Sequence, residues 1–268
     1  MNSSKLQDAQ FGLFVFGLLV GLLQLSSFDG LGFGRGFEMI AIAKNIAAQG
    51  TFGNPFEPAI TGPTAVVPPL YPIALAAIIK IFQVPGLIIF AATVSNIVVN
   101  AMGSALMPRL ALIFFGDMRP GMIAGLLWTF SIRLMPQWDV SYTVAGLMVF
   151  CCLAAEAVET LSMRKTVLTG FAGGLLTLMN PATVLLSVPW VVFLLVSRGV
   201  PLRRSVRFLS CVLLVIAASN VPWLIRNYTI WNAFALRTNF GMTIYASNND
   251  CAESGLVASM ESGWLRPS

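Results

Sequence analysis

From Phe11 to Ser27 the chain runs FGLFVFGLLVGLLQLSS without a charged side chain, and apolar runs of similar length recur as far as position 224. Runs of this length match the thickness of a bilayer core, so the pattern predicts an all-α, polytopic bundle of membrane helices. Composition agrees. With 57% hydrophobic and 10% charged residues, too little polar surface remains to cover a water-soluble core. The length suits a single membrane module spanning residues 1–268. The net charge of +5 is spread over loops with no aromatic-interleaved basic stripe, which points to membrane orientation and away from nucleic acid.

The four cysteines and the absence of histidine remove several chemistries. Cys151, Cys152 and Cys211 sit inside apolar runs and Cys251 in a polar tail, so neither a disulfide framework nor a cysteine-rich metal site is expected. Without histidine, imidazole zinc sites and Ser-His-Asp triads are excluded. A carboxylate-bound Mg or Mn ion stays open.

Candidate crossings fall at 11–27, 87–107, 120–136, 141–159, 166–180, 182–197 and 206–224. The first follows a short head containing Lys5 and lacks a convincing cleavage pattern, so it is an uncleaved helix and not a signal peptide. The run at 69–83, with Pro72 and Lys80, is short and predicts a re-entrant or interfacial segment. Loop charge sets the orientation. Arg164 with Lys165, and Arg198 with Arg203, Arg204 and Arg207, belong in the cytoplasm by the positive-inside rule, and Arg109 and Arg119 join them if 69–83 does not cross. Seven spans then leave the N-terminus cytoplasmic and put the loop 28–68 and the tail 224–268 together on the outer side. Arg133 falls near the outer end of its span, where snorkelling to headgroups is favoured over a phosphate contact. Asn96, Asn100 and Asn180 are accounted for by hydrogen bonds between helices.

The outer loop is the long polar stretch of the first 200 positions. Met39, Ile42, Ala43, Ile46 and Ala47 recur at helical spacing, predicting an amphipathic helix over Phe37–Gln49 that stops at Gly50. Glu38, Asn45 and Gln49 share another face, turned to water or to a site if the apolar face lies on the membrane. An ordinary surface helix, with Glu38 complementing its dipole, has the same spacing. The prolines of TGPTAVVPPLYP stiffen the return to apolar sequence.

The pattern EMIAIAKNIAAQGTFGNPF followed by TGPTAVVPPLYP resembles the first outer loop of the C-type glycosyltransferase (GT-C) superfamily, nearest its protein O-mannosyltransferase-like (family 39) and aminoarabinose-transferase-like branch. The segment PWLIRNYTIWNAFALRTNFGMTIYASNN, residues 222–249, resembles the stretch after a late span in bacterial members. The likeness covers both outer segments and the order of spans; the helices between match in hydrophobicity alone. It implies a bacterial inner-membrane enzyme that moves a sugar from a polyprenyl-phosphate donor to a glycan, lipid or protein acceptor on the non-cytoplasmic face, with inversion.

Such a displacement needs a carboxylate to take the acceptor's proton and positive charge or a metal to stabilise the phosphate leaving group. The resemblance makes Glu38 the first candidate base and Asp29 the second. Where many relatives carry an Asp-Glu pair this chain has Arg35-Gly36, and Val66-Val67 replaces an acidic-basic pair before the Pro-Pro turn. Arg226, at the outer end of the last span, is the candidate phosphate partner, with interfacial anchoring beside Trp223 and Tyr228 as the plain alternative. Arg35, Lys44, Tyr71 and Asn227 complete the expected substrate-binding set. The missing pair and the end at Ser268, where resembling enzymes continue, keep a second expectation in play: a non-catalytic lipid-binding, transport or assembly subunit, or a truncated inactive fragment.

Overall fold

The computed structural model describes residues 3–25, 38–56, 59–131 and 138–239, together with 241, 244, 245 and 248. Nine α-helices and one 3-10 turn account for the secondary structure of these residues, with a single antiparallel bridge between Gly53 and Pro63. The helices are α1 Ser3–Leu25, α2 Glu38–Gln49, α3 Leu70–Phe82, α4 Pro85–Phe115, α5 Arg119–Ser131, α6 Val140–Thr160, α7 Met163–Met179, α8 Val184–Ser197 and α9 Leu202–Trp231. Four of them, α1, α4, α6 and α9, are long and apolar enough to cross a membrane.

Local chemistry sets the breaks. Pro85 occupies the first turn of α4, where its missing N–H costs nothing, and Gly116 closes the helix in the left-handed region with its N–H on Leu112 O at 3.0 Å. Leu161 takes the same left-handed cap after α6, so only two residues separate α6 from α7. Asn180 ends α7 in an extended conformation, and its side chain caps the 3-10 turn Pro181–Thr183 that leads into α8. The head around Lys5 is not a separate tail: α1 starts at Ser3, eight residues earlier than the expected span. Residues 132–136 at the end of the expected span 120–136, Arg133 included, lie outside the described residues.

The helices pack α1 on α4 and α5, α4 on α5 and α6, α6 on α7, and α7 on α9, so that most of the close pairs are not consecutive in sequence. Small residues bring backbones close. A Cβ at Gly174 would lie 2.5 Å from Ser219 Cβ, and one at Gly121 would lie 2.6 Å from Pro108 Cα. We expect Gly121→Ala to push α5 off the α4 backbone and cost about 1–3 kcal/mol, since backbone atoms cannot rotate aside. Thermal unfolding in detergent checks this, and an unchanged midpoint would contradict the packing.

The main apolar core joins Phe150, Ala154 and Val158 of α6 to Val191 and Leu194 of α8 and to Phe208, Val212 and Ile216 of α9. A second core lies under α2, where Ile40 and Ala43 meet Tyr71, Leu75 and Ala92. Ion pairs collect at one end of the bundle. Glu156 bridges Arg109 and Lys165, and Glu159 pairs with Arg198 at 3.2 Å. The run at 69–83 forms the thirteen-residue α3, about 20 Å long at 1.5 Å per residue and thus shorter than a bilayer core.

Two expectations about side chains change. Asn96 and Asn100 bond to each other within α4, Asn100 Nδ2 donating to Asn96 Oδ1 at 2.9 Å, and do not join two helices. Their spacing of four residues puts them one above the other on one face, which makes the intrahelical bond the nearer choice. Asn180 does cross between helices, donating to Asp139 on the α6 side at 3.4 Å.

Candidate functional site

The amphipathic helix expected over Phe37–Gln49 is described over Glu38–Gln49, but its apolar side is wider than a membrane-lying stripe. Ile40, Ala41, Ile42 and Ala43 are all buried. Ile40 and Ala43 pack on α3 and α4, while Ile42 packs against Val66 and Val67 of the returning loop. The helix is therefore gripped from two sides by protein. Glu38 sits half-buried in its first turn, and Lys44 is exposed further along.

Beyond α2 the chain makes a compact turn. Asn54 N–H donates to Gly62 O at 2.9 Å, and its side-chain oxygen accepts from the N–H groups of Thr61 and Gly62 at 3.0 and 2.8 Å. Asn54 adopts positive φ, which asparagine tolerates better than most residues. Its Nδ2 then reaches back to Asn45 Oδ1 on α2 at 3.3 Å.

Arg226 ties this loop to α9. Its guanidinium donates to Thr64 O at 2.7 Å, to Phe52 O at 2.9 Å and to the neighbouring Asn227 Oδ1 at 2.8 Å. Phe52, Trp223 and Trp231 surround the cation, their ring centroids 4.6–5.2 Å from it. The chain after α9 closes over the same loop: Thr238 N–H donates to Ala65 O at 2.9 Å, and Arg237 Nε to Val66 O at 3.2 Å. Two of the five guanidinium N–H donors of Arg226 are left over from these bonds. Arg226 also lies in the wall of a groove of about 380 Å³ bounded by Gln49, Thr51, Asn54, Pro63 and Ile230.

Tyr71 and Asn227 are both interior. Tyr71 is 2% exposed beneath α2, its ring 5.1 Å from that of Tyr142, and Asn227 is fully buried, with Nδ2 donating to Ala235 O at 2.6 Å. Asp29 and Arg35 lie outside the described residues. Glu38 stands in the first turn of α2, whereas Arg226 binds Phe52 O and Thr64 O in the loop that follows Gln49.

One acid escaped the sequence reading. Asp139, at the start of α6, is 7% exposed and accepts from Thr143 Oγ1 at 2.9 Å as well as from Asn180. It belongs to a polar patch near Tyr71 and Tyr142, the latter bonded to Ser95 at 2.6 Å. The available signal was its place just before an apolar run, where a carboxylate caps a helix dipole; nothing there distinguishes burial from exposure. Among the described residues no three His, Cys, Asp or Glu side chains converge as a metal site would require.

These observations define an all-helical protein with four helices able to span a membrane and a structured loop clamped to the end of its last long helix. No family model, curated protein or solved structure matches the chain.

Proposed function

We propose that the chain is a polytopic, GT-C-like membrane glycosyltransferase that moves a sugar from a polyprenyl-phosphate donor to an acceptor at the loop-bearing end of the bundle. The observation that carries this reading is the loop itself: residues 50–56 and 59–67 are held by side-chain and backbone bonds to α2 and α9 and border a groove with a guanidinium in its wall. Polar chemistry beside a bilayer needs such a pre-organised edge. In this reading Glu38 takes the acceptor proton, with Asp29 as the alternative base. Arg226 acts mainly by holding the loop, and its two remaining N–H donors offer an anion contact in the groove. Where a divalent ion takes part, it would be bound by carboxylates.

Purified chain supplied with polyprenyl-phosphate sugars should release the lipid phosphate; absence of turnover across a panel of donors would sink the proposal. The second reading, a non-catalytic lipid-binding or assembly subunit, draws support from the commitment of Arg226 to backbone carbonyls and from the burial of Tyr71 and Asn227. Co-purification with a longer glycosyltransferase, and no transfer by the chain alone, is the result expected of it.

The proposed topology has seven crossings: α1, α4, α5, α6, α7, α8 and α9, with α3 entering only part way. In this scheme α5, α7 and α8 count as crossings although they are short, because only then do Arg109 with Arg119, Arg164 with Lys165, and Arg198 with Arg203 to Arg207 share one side. This topology puts the arginine-rich end in the cytoplasm of a bacterial inner membrane and the loop outside. Thr51 and Thr238 are both exposed. Cysteine placed at either, with Cys251 replaced, should react with an impermeant thiol reagent in intact spheroplasts. Labelling of one and not the other would break the scheme.

A further inference from the structure

At the opposite end of the bundle from the loop, α7 and α9 enclose a second site. The two helices approach closely along Gly170, Gly173 and Gly174, where a Cβ would meet Val212 O, Ile216 or Ser219 at 2.5–3.0 Å. Toward their N-termini the pair opens into a pocket of about 410 Å³, within the range of small-ligand sites. Its floor is apolar, made by Met163, Phe208 and Cys211, and its polar wall is Arg204 and Arg207. These two arginines lie three residues apart, on one face of α9.

Charge at this end is unbalanced in a specific way. Glu156 is engaged by Arg109 and Lys165, and Glu159 by Arg198. Among the described residues Arg204 and Arg207 make no ion pair, and both are exposed. Next along the same helices, Leu168, Phe171 and Leu214 are 46–70% exposed, as side chains facing lipid would be. The pocket thus has two uncompensated cations above an apolar floor, beside a surface suited to acyl chains.

We propose that this pocket binds the headgroup of an anionic phospholipid, its phosphate held between Arg204 and Arg207 and its chains lying along α7 and α9. Guanidinium groups grip phosphate oxygens in a fixed fork, and basic pockets between helices at a membrane surface favour anionic headgroups. A zwitterionic headgroup carries an ammonium that two arginines repel. The site is separate from the groove at Arg226 and requires only that the chain lie in a bilayer, so it stands whether or not the chain transfers sugar.

The test is native mass spectrometry of the full chain in detergent, titrated with phosphatidylglycerol, with phosphatidylcholine and with soluble glycerol phosphate. Phosphatidylglycerol should bind roughly 25-fold more tightly than phosphatidylcholine, and Arg204→Gln with Arg207→Gln should remove that preference, since each basic residue near a surface contributes roughly a fivefold factor. Arg119→Gln, at the same end but on α5, should leave it intact, and Arg204→Lys with Arg207→Lys should largely preserve it. Equal binding of the two lipids overturns the proposal, as does loss of preference in the Arg119 variant or in the lysine pair. If glycerol phosphate competes as well as intact lipid, the pocket is a site for a free anion and the lipid assignment fails.

Discussion

Glu38→Gln is expected to lower sugar transfer by roughly two to four orders of magnitude while leaving donor binding in place. Glutamine keeps the size and the hydrogen bonds of the side chain but cannot accept the proton of an attacking hydroxyl, and general-base catalysis is worth that much. Because Glu38 is half-buried in the first turn of a helix gripped on two sides, the substitution should not unfold the loop. Single-turnover transfer measured beside equilibrium donor binding separates the two effects. Asp29→Asn is the comparison: transfer abolished by that change and untouched by Glu38→Gln would exchange the roles of the two acids. If neither matters in an active protein, the chemistry lies elsewhere, and the buried carboxylate of Asp139 becomes the next residue to replace.

Arg226→Ala should free the loop from α9. The change deletes three hydrogen bonds from a charged donor, leaves the carbonyl of Phe52 with the N–H of Thr64 as its remaining partner, takes the guanidinium from the carbonyl of Thr64, and empties the space between Phe52, Trp223 and Trp231. Bonds to charged groups contribute about 1.5–3 kcal/mol each when made, and partial exposure of the side chain reduces the total; a loss of about 2–4 kcal/mol is expected. Hydrogen exchange should accelerate at Asn54, Thr64 and Thr238, whose N–H groups are bonded within this assembly, while the core of α6, α8 and α9 keeps its protection. Arg226→Lys should restore less than half of the loss, because a single ammonium cannot span both carbonyls in the fork geometry. Unchanged exchange in the loop would show that the guanidinium is not its clamp. Reduced donor binding by a variant whose loop remains protected would show instead that the two spare N–H donors meet an anion.

The helices were readable because their cause is local. An apolar run in lipid must satisfy its own backbone, so hydropathy alone places α1, α4, α6 and α9, and the spacing of Met39, Ile42 and Ile46 alone places α2. The stops at Gly116 and at Asn180-Pro181 follow from residues with particular backbone preferences. Side-chain partners were less accessible. Asn96 and Asn100 read as interhelical donors, and their bond within α4 needed the structure; Arg226 beside two aromatics read as phosphate partner or interfacial anchor, and its hold on the loop carbonyls could not be seen from its neighbours in sequence.

What the sequence determined by itself is therefore the all-helical class and the amphipathic helix before Gly50, since each depends on residues within a few turns of one another; the start of α1 and the ends of α4 and α9 lie seven or eight residues beyond the apolar runs that announced them. Only the tertiary structure decided that α2 is covered on two faces, that Arg226 is bound to carbonyls more than 160 positions away, that Asp139 is buried against Asn180, and that α7 and α9 part to leave two arginines over an apolar floor. Those facts depend on which helix faces meet. Hydrophobicity with no strong periodicity, as in α4, says that a helix is buried or in lipid but not which way it is turned.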